Sequence, residues 1–127
     1  MRVSPNLILP SQDFLNPQTI SFIIERIKNG ELEKLPPDPI VRKDDSGNLI
    51  AIDGHNLIAV RLHRGEDIDV HLANSYEDGL PANSEANVER NNDLKRKYDS
   101  ALIERVRLHE QGIDSFNDLI NRYPDLF

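Results

Sequence analysis

Isoleucine recurs at positions 20, 23, 24 and 27. That i, i+3, i+4, i+7 spacing predicts a helix with one apolar stripe about 100° wide. Asn16 and Pro17 supply an N-cap and a proline suited to the first helical position, and Asn29-Gly30 closes the element. Phe22 falls off the stripe and either meets a second surface or is exposed. Before this helix, Val3–Leu9 ends in the apolar run Leu7-Ile8-Leu9, stopped by Pro10, and reads as a first strand. After it, Leu35-Pro36-Pro37-Asp38-Pro39 excludes helix and leads an extended chain into Ile40-Val41, the second strand. Asp44-Asp45-Ser46-Gly47-Asn48 is a turn and Leu49-Ile50-Ala51-Ile52 a third strand, so the pair reads as a hairpin. Asp53-Gly54 then converts strand into a second helix, running to His63 or Arg64 before Gly65 ends it. Ile68, Val70 and Leu72 alternate with Asp69 and His71, which predicts a half-buried strand.

The pattern changes after residue 73. Residues 74–84 are rich in Asn, Ser, Asp, Gly and Pro, without apolar periodicity, and read as a linker. From 85 to 111 the composition is helical. Leu94, Tyr98, Ala101, Leu102 and Leu108 fall on one stripe, Val106 lies at its edge, and Gly112 stops the helix. Asp114 or Ser115 can cap a last short helix carrying Phe116, Leu119 and Ile120, ended by Tyr123-Pro124. The expected organisation is α+β. A small mixed sheet with packed helices spans 1–73, a linker 74–84, and a helical hairpin 85–127. That hairpin is expected to pack on the domain or on a second copy of the chain, since a long helical stripe is usually an interface.

Composition narrows the chemistry. The chain has 127 residues and no cysteine, which rules out disulfides, thiolate metal sites and thiol catalysis. No signal pattern and no membrane-length apolar run is present, so a cytoplasmic protein without membrane partners is expected. The formal net charge is −7, and residues 1–84 carry eight Lys and Arg against thirteen Asp and Glu. Binding to a nucleic-acid backbone rests on clustered cations, so DNA is a disfavoured partner. Lys95-Arg96-Lys97 alternates with nearby acids and reads as a solvated face.

The order of elements carries a resemblance. Asp38-Pro39-Ile40-Val41, Gly47 with Ile50-Ala51-Ile52, the run Asp53-Gly54-His55-Asn56-Leu57-Ile58-Ala59-Val60, Gly65 and Ile68-Asp69-Val70 together resemble the ParB/sulfiredoxin-like domain over residues 3–73. The most specific piece is the Asp-Gly-His step at the end of a strand. In that family the step usually reads Gly-x-x-Arg, often Asp-Gly-His-His-Arg. Its helix start cradles nucleotide phosphates, with magnesium as the expected companion ion, and the Arg neutralises them. Members include chromosome-partition proteins that hydrolyse nucleoside triphosphates, reductases with a Cys in this loop, and a free-serine kinase. Here Asp53, Gly54 and His55 match, Asn56 stands for the second His and Leu57 for the Arg. His55 occupies the reductase Cys position, so that chemistry is absent. The resemblance implies a phosphate- or nucleotide-binding domain, weakly active or inactive, with a small nucleotide-dependent enzyme as the alternative and a partition-type protein as a further one.

The same step has its own physics. A helix start offers unpaired N–H groups and the positive end of a dipole, so it stabilises an anion. Gly54 allows close approach and unusual backbone angles. Asp53 either caps those N–H groups or leaves them for a ligand. His55 titrates near neutrality when solvated and can then donate to a phosphate. At 100° per residue, Ile58, Ala59 and Leu62 form the core side, whereas Leu57 shares the opposite side with Arg61 and Arg64. Arg61, leaning toward the N-terminus, is a candidate substitute for the missing Arg. Arg42 and Lys43, leaving the second strand, are candidates for further positive charge. The expected site is thus Asp53, Gly54, His55 and Asn56, with Arg61 and Arg42. Thr19 and Ser21 are minor candidates, and Glu25, Glu31 and Glu33 are possible general bases. His55 and His63 stand too far apart on one helix to share a metal ion, and no metal-ligand spacing emerges.

Overall fold

The computed structural model describes residues 1–74 and 88–127. The linker placed at 74–84 and the start of the long helix at 85 fall mostly on residues 75–87, outside the described residues. The fold is α+β. Among the described residues six short strands, β1 (Arg2–Val3), β2 (Ile8–Leu9), β3 (Ile40–Lys43), β4 (Leu49–Asp53), β5 (Ile68–Asp69) and β6 (His71–Leu72), accompany four helices. The helices are α1 (Pro17–Lys28), α2 (His55–His63), α3 (Val88–Glu110) and α4 (Phe116–Asn121).

The main sheet has the order β2-β4-β3-β6. β3 and β4 form the expected antiparallel hairpin, with a register shift between Ile40 and Val41. Its turn is held by the Asp44 carboxylate, which accepts from the Ser46 and Asn48 amides. β2 lies parallel to β4, and β6 parallel to β3. Two expected strands are each broken. Within Val3–Leu9, Pro5–Leu7 forms a 3-10 turn capped by Ser4, because Pro5 has no N–H for a ladder. β1 therefore pairs with β5, while β2 joins the main sheet. The strand expected over 68–72 divides at Val70, whose N–H donates to the Met1 carbonyl, while the next amide, His71, donates to Pro39.

Both faces of β4 are covered, which explains its unbroken apolar run. Ala51, with Val41, packs into the core that α1, α2 and α4 close, together with Ile20, Ile58, Phe116 and Leu119. Ile50 and Ile52 point the other way and pack with Ile40, Ala73, Leu94 and Ala101, under α3. The molecule has three layers: α3, the sheet, and the remaining helices. α3 therefore lies against the domain, and its far end rejoins the first core through Leu108, with Ile113 in the turn that follows. Arg105 fastens this arrangement, donating to the carbonyls of Pro10 and Ile113. Asn16 and Ser115 cap α1 and α4 as their sequence positions suggest. Phe22 stays exposed, with the Arg26 guanidinium 4.8 Å above its ring. No helix among the described residues is long and apolar enough to cross a membrane.

Two positions two residues apart on α3 test this layering. Leu108 is fully buried and Val106 is 62% exposed. Leu108→Ala is expected to cost about 2–5 kcal/mol, and Val106→Ala about 0.5 kcal/mol or less. Urea unfolding midpoints measure both, and similar costs for the two would contradict the packing of α3.

Candidate functional site

Gly54 makes the step from β4 to α2. It is the N-cap of α2, with φ +88, in the left-handed region that glycine adopts without penalty. A Cβ there would stand 2.7 Å from Cβ of Pro39. Glycine is thus required twice, by the turn and by the proline packed against it. Among the described residues no side chain caps the first turn of α2, so Asp53 does not occupy the helix start.

Asp53 turns instead toward α3. Its carboxylate meets Arg90 at 3.2 Å and Lys97 at 3.4 Å. Two cations from a helix some forty residues on therefore stand beside the α2 start. Nothing in the spacing of Arg90 and Lys97 names Asp53 as their partner.

His55 corrects an expectation. It is 3% exposed, with Nε2 accepting the Ser11 amide at 2.9 Å and its ring 5.5 Å from that of Phe116. A backbone N–H can only donate, so Nε2 is unprotonated and the imidazole is neutral with its proton on Nδ1. Burial, reinforced by the positive charge of Lys97, pushes the His55 pKa down to about 3. It cannot serve as a solvated donor near neutrality. Asn56 is likewise committed, its side-chain oxygen accepting the Asn16 amide at the start of α1.

Leu57 and the arginines behind it also depart from expectation. Leu57 is 5% exposed and belongs to the main core. Periodicity assigned α2 one buried side, but α1, α4 and the 3-10 turn at Pro5–Leu7 pack around it. Arg61 does not lean back toward the helix start. It pairs with Glu66, as does Arg64, past the C-terminal end of α2. Arg42 lies over the ring of Tyr98 at 4.1 Å and donates to the Tyr98 carbonyl at 2.8 Å. It ties β3 to α3 and adds no free charge to the α2 start. Among the acids suggested as bases, Glu31 is held by Arg26 and Lys34.

Two cavities flank this region, and their charges differ. One, of about 520 Å³, is lined by Leu57 and Arg61 with Arg2, Asp38, Glu66, Asp67 and Asp69. Four carboxylates face two guanidiniums, an environment that repels a triphosphate. The other, of about 240 Å³, lies between residues 11–14 and α3 and holds Arg96, Lys97 and Arg107 against Asp13 and Glu104. Among the described residues no three His, Asp or Glu side chains converge on a metal site. Asp53, the carboxylate nearest the α2 start, already holds two cations, so the residues there do not fit a magnesium ion. No family model, curated protein or solved structure matches this chain.

Two predictions follow from the turn and the histidine. Gly54→Ala should cost about 2 kcal/mol or more, from backbone strain and the Pro39 contact. Gly47→Ala, whose Cβ would meet open space at φ +84, should cost about 1–2 kcal/mol from strain alone. Equal losses in thermal unfolding would contradict the close approach. The second concerns acid. Between pH 6.5 and about 3 the unfolded chain binds a proton at His55 that the folded chain refuses. Stability is therefore complete above pH 6.5 and falls as the pH drops, by about 1.4 kcal/mol per unit. His55→Gln should flatten this slope between pH 6.5 and about 5, above the carboxylate range; an unchanged slope would refute the assignment.

Proposed function

We propose that this chain is a non-catalytic binding domain that holds a phosphate-type anion at the start of α2, beside Gly54. The observation that carries the reading is the uncapped first turn, with Arg90 and Lys97 brought beside it through Asp53. Backbone N–H groups, a helix dipole and two cations favour an anion there. Exposed ion pairs are worth little, about 0–1 kcal/mol, so a bound phosphate can share Arg90 and Lys97 with Asp53 at small cost. The resemblance in the Asp53-Gly54-His55 step supports the same ligand class.

Catalysis finds no support among these side chains. His55 is neutral and accepts a hydrogen bond, Asn56 is occupied, and Asp53 is ion-paired. None of them is free to move a proton. The acidic lining beside Leu57 further favours a single phosphate group over a magnesium triphosphate.

Titration of the labelled protein with inorganic phosphate and pyrophosphate, followed by amide NMR, tests the reading. The amides of Gly54 to Leu57 should shift in a saturable way. Arg90→Ala with Lys97→Ala should weaken binding about 3- to 30-fold, as expected for two partly exposed charges. Unmoved amides at millimolar phosphate would end the proposal.

A further inference from the structure

The domain uses only one face of α3. Leu94, Ala101 and Leu108 are buried against the sheet and the first core. On the opposite face Arg96, Asp99, Ile103, Val106 and Glu110 are all exposed. They follow one another at three or four residues, the spacing of neighbours on one helix surface. Ile103 and Val106 are 71% and 62% exposed, the two large apolar side chains that α3 leaves in solvent. β-branched residues slightly weaken a solvated helix, so the isolated domain gains nothing from them there.

The charges around this apolar pair have an internal symmetry. Seven residues to either side of Ile103 stand Arg96 and Glu110, and four residues to either side stand Asp99 and Arg107. At each of these distances a base on one side is matched by an acid on the other. We propose that the outer face of α3 binds a second copy of this chain, α3 against α3 in antiparallel orientation, with a two-fold axis beside Ile103.

A two-fold axis at that position brings the two Ile103 side chains together, with Val106 of each copy next to them. At 1.5 Å per residue, Arg96 of one copy lies level with Glu110 of the other, and Arg107 with Asp99. Every such contact occurs twice, as an isologous interface requires. A parallel pairing would instead set Arg96 on Arg96 and Asp99 on Asp99, so charge selects the antiparallel arrangement. Asp99 and Glu110 make no ion pair among the described residues. Arg96 and Arg107 hold acids of their own chain, but a guanidinium carries five N–H donors and accommodates a second carboxylate. The contact from Arg96 to Glu110 covers about 21 Å of a single helix. That is small for a protein interface, and the dimer is therefore weak and concentration-dependent. The inference is independent of the phosphate reading, since Arg90 and Lys97 turn to Asp53, away from this face.

Sedimentation velocity on the full chain, over a range of concentration and salt, provides the test. The chain should pass from monomer to dimer below about 1 mM, and less readily at high salt. Ile103→Asp changes an exposed side chain, so the variant keeps the monomer fold, and its dissociation constant should rise about 30-fold or more. Arg96→Glu and Glu110→Arg should each weaken the dimer about 3- to 30-fold. The two substitutions in one chain, or the two single variants mixed in equal amounts, should restore it, because each new acid then faces a new base. A chain that stays monomeric at about 1 mM, a dimer that tolerates Ile103→Asp, or a paired charge reversal that fails to restore association would each overturn the inference. None of these outcomes bears on phosphate binding at Gly54, which amide shifts report separately.

Discussion

Within one residue, Gly54 must carry the chain from a strand buried on both faces into a helix buried nearly all round. No residue with a side chain fits, because the turn is left-handed and Pro39 fills the space a Cβ would take. Much else hangs on that geometry. It sends His55 inward to the Ser11 amide and Phe116, and leaves Asp53 at the rim, where α3 finds it. It also leaves the first turn of α2 without a side-chain cap. The same backbone constraint thus places a core histidine, an anchor for a distant helix and a helix start that no described side chain caps.

Charge divides the molecule more sharply than its net value suggests. Around Leu57 the lining is acidic, and Arg61 and Arg64 spend their charge on Glu66. On the opposite side of the α2 start, the cations of α3 gather over Asp53, Asp93 and Asp13. The surroundings of Leu57 would therefore repel a phosphate, whereas the cations nearest the α2 start come from α3.

Local signals in the sequence were legible where one physical cause dominated. The isoleucine stripe and Asn16 cap gave α1, the Asp44–Asn48 turn gave the hairpin, and the Asp-Gly step gave the start of α2. What escaped was set by contacts distant in sequence. Periodicity presumes one buried side, but α2 is surrounded, so Leu57 and His55 are core residues that polarity and spacing placed outside. The strand over 68–72 alternates correctly, yet Val70 turns to Met1 and His71 to Pro39, and alternation does not reveal a change of partner. Leu7-Ile8-Leu9 reads as continuous, but Leu7 closes a turn and stays in solvent. Lys97 reads in sequence as part of a solvated face because its partner, Asp53, lies 44 residues away, and Arg90, 37 residues from Asp53, carries no signal of the same pairing.

The three-layer arrangement also orders events during synthesis. The β3–β4 hairpin closes over a five-residue turn and can form in microseconds. Its outer face, Ile50 and Ile52, has no cover until Leu94 and Ala101 have left the ribosome. Arg105 completes the closure only by reaching back to Pro10, across 95 residues of chain. A growing chain therefore displays this outer face bare for the time needed to make about fifty more residues, a few seconds at ordinary elongation rates. The charged, well-solvated α3 arrives as the piece that covers this face.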